Sequence, residues 1–141
     1  MTSEYRLKRR VQFYETDAAG IVHFSWFYRY LEEAEHALWR EAGLSIVPAG
    51  SEIGFPRIAA SFDFHKPLHF EDQFEVYLII SEIGGKTVRY DARITRGEVL
   101  IATGSLTVAC VRKRAGEPMK SIALPPEIVG RFRVGSFTNI P

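Results

Sequence analysis

The chain has 141 residues, of which 46% are hydrophobic, enough to fill one core and too few residues for two full domains. Its 18 Lys and Arg offset 17 Asp and Glu to a net charge of +1, so no overall field draws it to nucleic acid or anionic lipid. The one cysteine, Cys110, excludes an internal disulfide and cannot alone build a structural zinc site. Met1 to Arg6 carries no apolar leader, and no run approaches the ~18 apolar residues of a membrane span. The expectation is one soluble, cytoplasmic domain over residues 1–141 that needs neither metal nor cofactor.

Tyr5, Leu7, Val11 and Phe13 alternate with Arg6, Lys8, Arg10 and Gln12, the period of a half-buried strand, with Arg9 as the one break. A short link, Glu15 to Gly20, turns this strand into a helix. From Ser25 the apolar residues Phe27, Leu31, Ala34, Leu38 and Ala42 recur at helical spacing, with Arg29, Glu32, Glu33, His36 and Arg40 opposite. Ser25 is the expected N-cap and Gly43 the expected residue past the C-cap. A Pro- and Gly-containing loop of about a dozen residues follows, through Pro48, Gly50, Gly54 and Pro56.

Ile58, Ala60, Phe62 and Phe64 then alternate in a second strand that Pro67 ends. Phe74 to Ile83 is a third, with Phe74, Val76, Leu78 and Ile80 toward the core. Gly84-Gly85 is a hairpin signal, Val88 to Thr95 the cleanest alternation in the chain, and Arg96-Gly97-Glu98 the turn into a fifth strand, Val99 to Arg112. A short helix is expected from Glu127 to Phe132. Hairpin-linked strands make an antiparallel sheet, and the order β-α-β-β-β-β predicts an α+β domain whose sheet curls around one long helix.

The string Asp17-x-x-Gly20-x-Val22 followed by Tyr28, then Pro56, and Pro67 with Asp72 five residues on, resembles the 4-hydroxybenzoyl-CoA thioesterase family. The likeness runs from Tyr5 to about Phe132, with the specific motif confined to Asp17–Tyr28. It implies the hotdog fold, in which a five-stranded antiparallel sheet wraps the helix. It also implies a homodimer joined edge to edge with the site between subunits, often paired again into a homotetramer, and hydrolysis of an acyl- or aroyl-CoA to the free acid and CoA. By the same resemblance Asp17 is the catalytic carboxylate, the Phe24 backbone amide stabilises the oxyanion, and Lys86 reaches a nucleotide phosphate from a neighbouring subunit. Gly84-Gly85 stands before that lysine where some relatives carry further basic residues.

These roles are chemically sound. A thioester carbonyl becomes an oxyanion when attacked, and amides at a helix N-terminus are unpaired donors with partial positive charge. Asp17 can act as nucleophile or as general base for water. An Asp before a helix is elsewhere more often a turn or cap residue; the surrounding motif reverses that here. His23 is open to two readings, a hydrogen bond to substrate or Asp17, or a satisfied structural histidine. Glu15 is expected to point away from Asp17, His65 and His69 to be solvated loop residues, His36 to lie on the polar helix face, and Cys110 to be a small buried apolar residue. Of the aromatic cluster Tyr14, Phe24, Trp26, Phe27, Tyr28 and Tyr30, most belong to core or interface, with Trp26 chosen to shape an acyl pocket. Lys86, Arg89, Arg93, Arg112, Lys113 and Arg114 are candidate phosphate cations, each otherwise a solvated surface charge. Rival readings are an acyl-carrier-protein thioesterase, a non-catalytic acyl- or aromatic-ligand-binding dimer, and a hydratase or dehydratase; the acid at the helix mouth argues against the second, and the absence of an evident Asp-His pair against the third.

Overall fold

The computed structural model describes residues 3–137, so Met1, Thr2 and residues 138–141, the two ends of the expected domain, lie outside the described residues. Its strands are β1 (Glu4–Arg10), β2 (Ile53–Gly54), β3 (Arg57–Phe64), β4 (Gln73–Ile83), β5 (Thr87–Arg96), β6 (Val99–Ala109), β7 (Val111–Arg112) and β8 (Lys120–Ser121). The helices are α1 (Ser25–Glu41) and the short α2 (Pro126–Val129), with a 3-10 turn at Phe13–Glu15. Five strands form one sheet in the order β1-β4-β5-β6-β3, with every neighbouring pair antiparallel. The alternating inner positions Phe74, Val76, Leu78 and Ile80 of β4, and Val88, Tyr90, Ala92 and Ile94 of β5, are buried against α1 as their period requires. This is the α+β arrangement expected from the element order, and the wrapped helix that the family resemblance implies.

The sheet covers more of α1 than the apolar stripe foretold. Beyond Phe27, Leu31, Ala34 and Leu38, the helix also buries Tyr30, Glu35, Ala37 and Trp39. At 3.6 residues per turn these positions sweep an arc of about 200°. The C-terminus ends as expected: Gly43 has φ +80°, its N–H bonds to Arg40 O, and Leu44 N–H returns to Trp39 O, the paired bonds of a Schellman stop. The N-terminus differs. Phe24, not Ser25, is the cap residue, and Ser25 is the first helical residue, its hydroxyl engaged with His23 Nδ1 at 2.8 Å.

Four other expectations are corrected. β1 stops at Arg10, and Phe13 belongs to the 3-10 turn with its ring 73% exposed. Arg9 does not break the alternation: it takes an inward position after Tyr5 and Leu7, where two carboxylates on other elements neutralise it. The run from Val99 to Arg112 is two strands, because the chain leaves the main sheet at buried Cys110 and β7 joins β2 and β8 in a separate three-stranded sheet. The last helix spans Pro126–Val129, with Phe132 packed beyond it on Trp39, ring centroids 5.1 Å apart.

Along its far half α1 carries a buried polar chain. Trp39 Nε1–H donates to Tyr90 OH at 2.9 Å, the Glu35 carboxylate lies beside Tyr90, and Arg57 of β3 grips Glu35 with two bonds of 3.1 and 2.5 Å and Glu32 with a third of 3.1 Å. Burial, and then the charge of Glu35, push the Tyr90 phenol well above its ordinary pKa; burial and donation to Glu15 do the same for Tyr30. Below the ordinary phenol value of 10.0 both phenols keep their protons whether folded or unfolded, so their stabilising contribution is complete there. Above it the unfolded chain ionises while the folded one resists. Stability should therefore fall as pH rises past about 10, and Tyr30→Phe and Tyr90→Phe should each flatten that fall, read as urea midpoints across the alkaline range.

Candidate functional site

Between β1 and α1 the chain makes a small stitched loop. Val11 N–H bonds to Asp72 O at 2.9 Å, fixing the exit from β1 against the start of β4. After the 3-10 turn, Thr16 and Val22 pair across a miniature hairpin whose tip is Asp17-Ala18-Ala19-Gly20. Asp17 N–H donates to Ile21 O and Gly20 N–H to Asp17 O, both at 2.9 Å. Gly20 closes the turn at φ +80°, where an L side chain is strained. The Asp17 carboxylate is exposed at the tip, with Oδ1 accepting the Ala19 N–H at 2.9 Å. Oδ2 has no partner among the described residues.

The returning limb leads into α1. Val22 N–H bonds to Leu68 O at 2.8 Å, and Ile21 bridges to His69, which ties the loop to the segment after β3. His23 N–H donates to Glu15 O at 2.9 Å, Ser25 N–H to His23 Nδ1 at 3.2 Å, Trp26 N–H to His23 O at 3.0 Å and Phe27 N–H to Phe24 O at 3.2 Å. The Phe24 N–H alone in this series has no acceptor among the described residues. It stands at the positive end of a 17-residue helix.

Asp17 and Phe24 share one cleft of about 510 Å³. Ile21, Val22 and Phe27 complete its first wall, and Phe64, His65, Lys66, Pro67 and Leu68 at the end of β3 form the other. A groove of about 560 Å³ runs elsewhere, over Lys8, Arg10 and Gln73 on the sheet, and holds no such meeting of a carboxylate with a free helix amide. The cleft can seat a carbonyl with its oxygen on the Phe24 amide and a carboxylate nearby.

The other anticipated residues are dispersed. His23 serves the helix entry through Ser25, its ring 4.6 Å from that of Phe24. Trp26 packs edge-on against Tyr14 at 5.6 Å and near Tyr30 at 6.2 Å, and is not among the cleft-lining residues. Lys86 is exposed in the turn after β4, at the opposite end of the sheet from Asp17. With β4 11 residues long, the two are roughly 30 Å apart along one chain. Phe27, read as core, is both core and cleft wall. Phe64, His65 and Lys66 were not anticipated in the cleft. The one signal was the strand-ending Pro67, which turns the chain at this point.

A family model described as the Thioesterase superfamily matches residues 19–102. A crystal structure of a hypothetical protein from Aquifex aeolicus superposes with a TM-score of 0.84 at 29% identity, over 92% of this chain and 99% of that one. The 1,4-dihydroxy-2-naphthoyl-CoA thioesterase Slr0204 from Synechocystis superposes with a TM-score of 0.82 at 25% identity, over 91% and 94% of the two chains. The acyl-CoA thioester hydrolase YbgC of Escherichia coli O6:H1 is 26% identical over 94% of this chain and 98% of its own length.

Gly20 offers a test of the loop geometry. A Cβ there meets nothing within 4 Å, so the cost of Gly20→Ala is backbone strain alone, about 1–2 kcal/mol for an L residue in the left-handed region. Urea unfolding should show that loss for Ala and a smaller one for Gly20→Asn, since Asn visits this conformation more readily. Equal stability of all three forms would mean the turn is not held at positive φ.

Proposed function

The chain belongs to the Thioesterase superfamily, and from that membership we propose that it hydrolyses an acyl-CoA thioester in the cleft between Asp17 and the Phe24 amide. The observation that carries this reading is the meeting, on one cleft, of an exposed carboxylate with a free oxygen and an unpartnered N–H at a helix N-terminus. The thioester oxygen accepts from the Phe24 amide, which gains strength as negative charge develops. Asp17 attacks the carbonyl carbon, or takes a proton from a water that does; either route consumes water and releases acid and thiol with no cofactor. Three phenyl rings, Phe24, Phe27 and Phe64, line the cleft and favour an aromatic acyl group, the kind named for the Synechocystis protein. Among the described residues no helix is long and apolar enough to cross a membrane, and we assign the protein to the cytoplasm, where acyl-CoA is available.

The nucleotide end calls for a second copy. β3 is an edge of the five-stranded sheet, eight residues long, with most side chains exposed and one side of its backbone unpaired by any described strand. Antiparallel pairing of β3 with its counterpart sets the Phe64 end of one chain against the Arg57 end of the other. That end lies beside Ala109, which pairs with Thr87, so Lys86 of the partner subunit comes to the Asp17 end of the cleft. We therefore infer a homodimer as the minimal active form, and dimers paired into a tetramer are compatible with it.

Asp17→Asn should keep the loop, because Asn Oδ1 still accepts the Ala19 N–H, and should lower kcat for acyl-CoA at least 100-fold on the order of the loss of a nucleophile or base. Phe24→Pro removes the amide while its φ of −54° suits proline, and should cost about 10²–10³ in kcat, whereas Phe24→Leu keeps the amide and most turnover. Near wild-type rates in Asp17→Asn with unchanged thermal unfolding would sink the assignment. A panel of aromatic, short-chain and long-chain acyl-CoAs, followed by thiol release, identifies the acyl group.

For the nucleotide end, light scattering should show at least two chains per particle. Lys86→Ala should raise KM for acyl-CoA by a factor of about 1.4 to 5, an exposed charge contact being worth about 0.2–1 kcal/mol, with kcat little changed. The shift should shrink at high salt and vanish for an acyl-pantetheine. Equal use of acyl-CoA and acyl-pantetheine by wild type would instead favour a carrier-protein substrate.

A further inference from the structure

Glu15, two residues before Asp17, is fully buried, and it is the most heavily bonded side chain near the cleft although it does not line it. Its Oε1 accepts the Gln12 N–H at 2.8 Å and the Tyr30 hydroxyl at 2.9 Å. Its Oε2 lies 2.5 Å from Arg9 Nη1, near enough for an ion pair, yet the N–H is not aligned for a hydrogen bond and both atoms are buried. Arg9 also donates through Nε to Glu33 at 3.0 Å and lays its guanidinium 4.7 Å over the Tyr30 ring.

An apolar residue would fill such a space without the desolvation that a buried carboxylate costs, so the ion pair is poor evidence for stability as its purpose. Placement is the better account. Glu15 joins three elements: Arg9 on β1, the 3-10 turn through Gln12, and Tyr30 in the second turn of α1. Its main chain does a second job, since Glu15 O takes the His23 N–H, the amide next to Phe24. Side chain and backbone therefore hold the helix entry from both sides of the Phe24 amide, while the same residue sets the start of the hairpin that carries Asp17.

We propose that Glu15 is a positioning residue: its carboxylate, clamped between Tyr30 and Arg9, locks the 3-10 turn to α1 so that Asp17 and the Phe24 amide face one cleft at a fixed spacing. The proposal rests on the roles given above to Asp17 and Phe24. Misplacement by about 1 Å can cost on the order of 10²-fold in rate without a change in binding, so loss of the clamp appears in kcat rather than KM.

Two tyrosines make a matched test. Tyr30→Phe and Tyr90→Phe each delete one buried hydroxyl, the first on α1 and bonded to Glu15, the second on β5 and bonded to Trp39 of α1, and both should fold with a similar loss of stability. With an acyl-CoA that wild type turns over, Tyr30→Phe should lower kcat about three- to tenfold, with KM within about twofold. Glu15→Gln should lower kcat further. Tyr90→Phe should leave both constants alone. Amide hydrogen exchange of ¹⁵N-labelled protein gives a readout independent of activity: the His23 amide should exchange faster in Tyr30→Phe and not in Tyr90→Phe. Equal kcat in the two tyrosine variants, or an unchanged His23 amide in Tyr30→Phe, overturns the proposal, and Tyr30→Phe decides even where Glu15→Gln does not fold. Asp17→Asn, measured alongside, separates the layers. If it keeps turnover, the site reading falls and this proposal with it; if it is inactive while Tyr30→Phe matches wild type, only the positioning role falls.

Discussion

A helix satisfies its own backbone except at its two ends, and in this molecule the N-terminal end of α1 is where a backbone donor is left open. The sheet takes up the side chains of α1 from Phe27 to Trp39, and the Schellman stop at Gly43 satisfies carbonyls at the far end. The N-terminal amides receive less help: Phe24 has no capping side chain, and the neighbouring groups are spoken for by His23 and Glu15. One donor left free at the positive end of a long dipole, in a cleft with apolar walls, is a condition that a developing anion relieves.

Much of the architecture was legible in the sequence. The alternations in β4 and β5, the Gly84-Gly85 turn and the four-three spacing from Phe27 to Leu38 each state a local preference that the fold obeys. Asp17 and Phe24 were legible for a different reason, through a family motif, and the geometry brings them to the same cleft. What stayed hidden lay in contacts distant in sequence. Phe64 and His65 join the cleft because Leu68 and His69 are stitched to Val22 and Ile21, a pairing that no local pattern announces. Lys86 was named through the family resemblance alone, since nothing in a strand's own residues says which edge will remain open.

Buried charge was the other blind spot. Glu15, Glu35 and Arg9 read as polar in any periodicity count, so Arg9 looked like a fault in a strand and the helix looked dry on one narrow stripe only. Their burial depends on partners far along the chain: Arg9 with Glu15 and Glu33, Glu35 with Arg57. Each carboxylate is tolerated inside because a guanidinium and hydroxyl bonds replace water. For Arg9, burial opposes the charge, yet the hydrogen bond it donates to Glu33 and its ion pair with Glu15 outweigh that cost and hold the guanidinium pKa above its ordinary value. A hydropathy pattern reports the cost of such groups and is silent about what offsets it.

The strands also outreach the helix they enclose. α1, with 17 residues, is about 25 Å long, whereas β4 and β6, with 11 each, extend to roughly 36 Å. The cleft sits at the N-terminal end of α1, between the loop that enters the helix and the chain that leaves β3. The outer lip is drawn from side chains such as Phe64, 47% exposed in the single chain, whose replacement disturbs little of the core. Such a lip can drift in evolution, exchanging one acyl group for another, while the helix mouth behind it stays under the constraint of the fold itself.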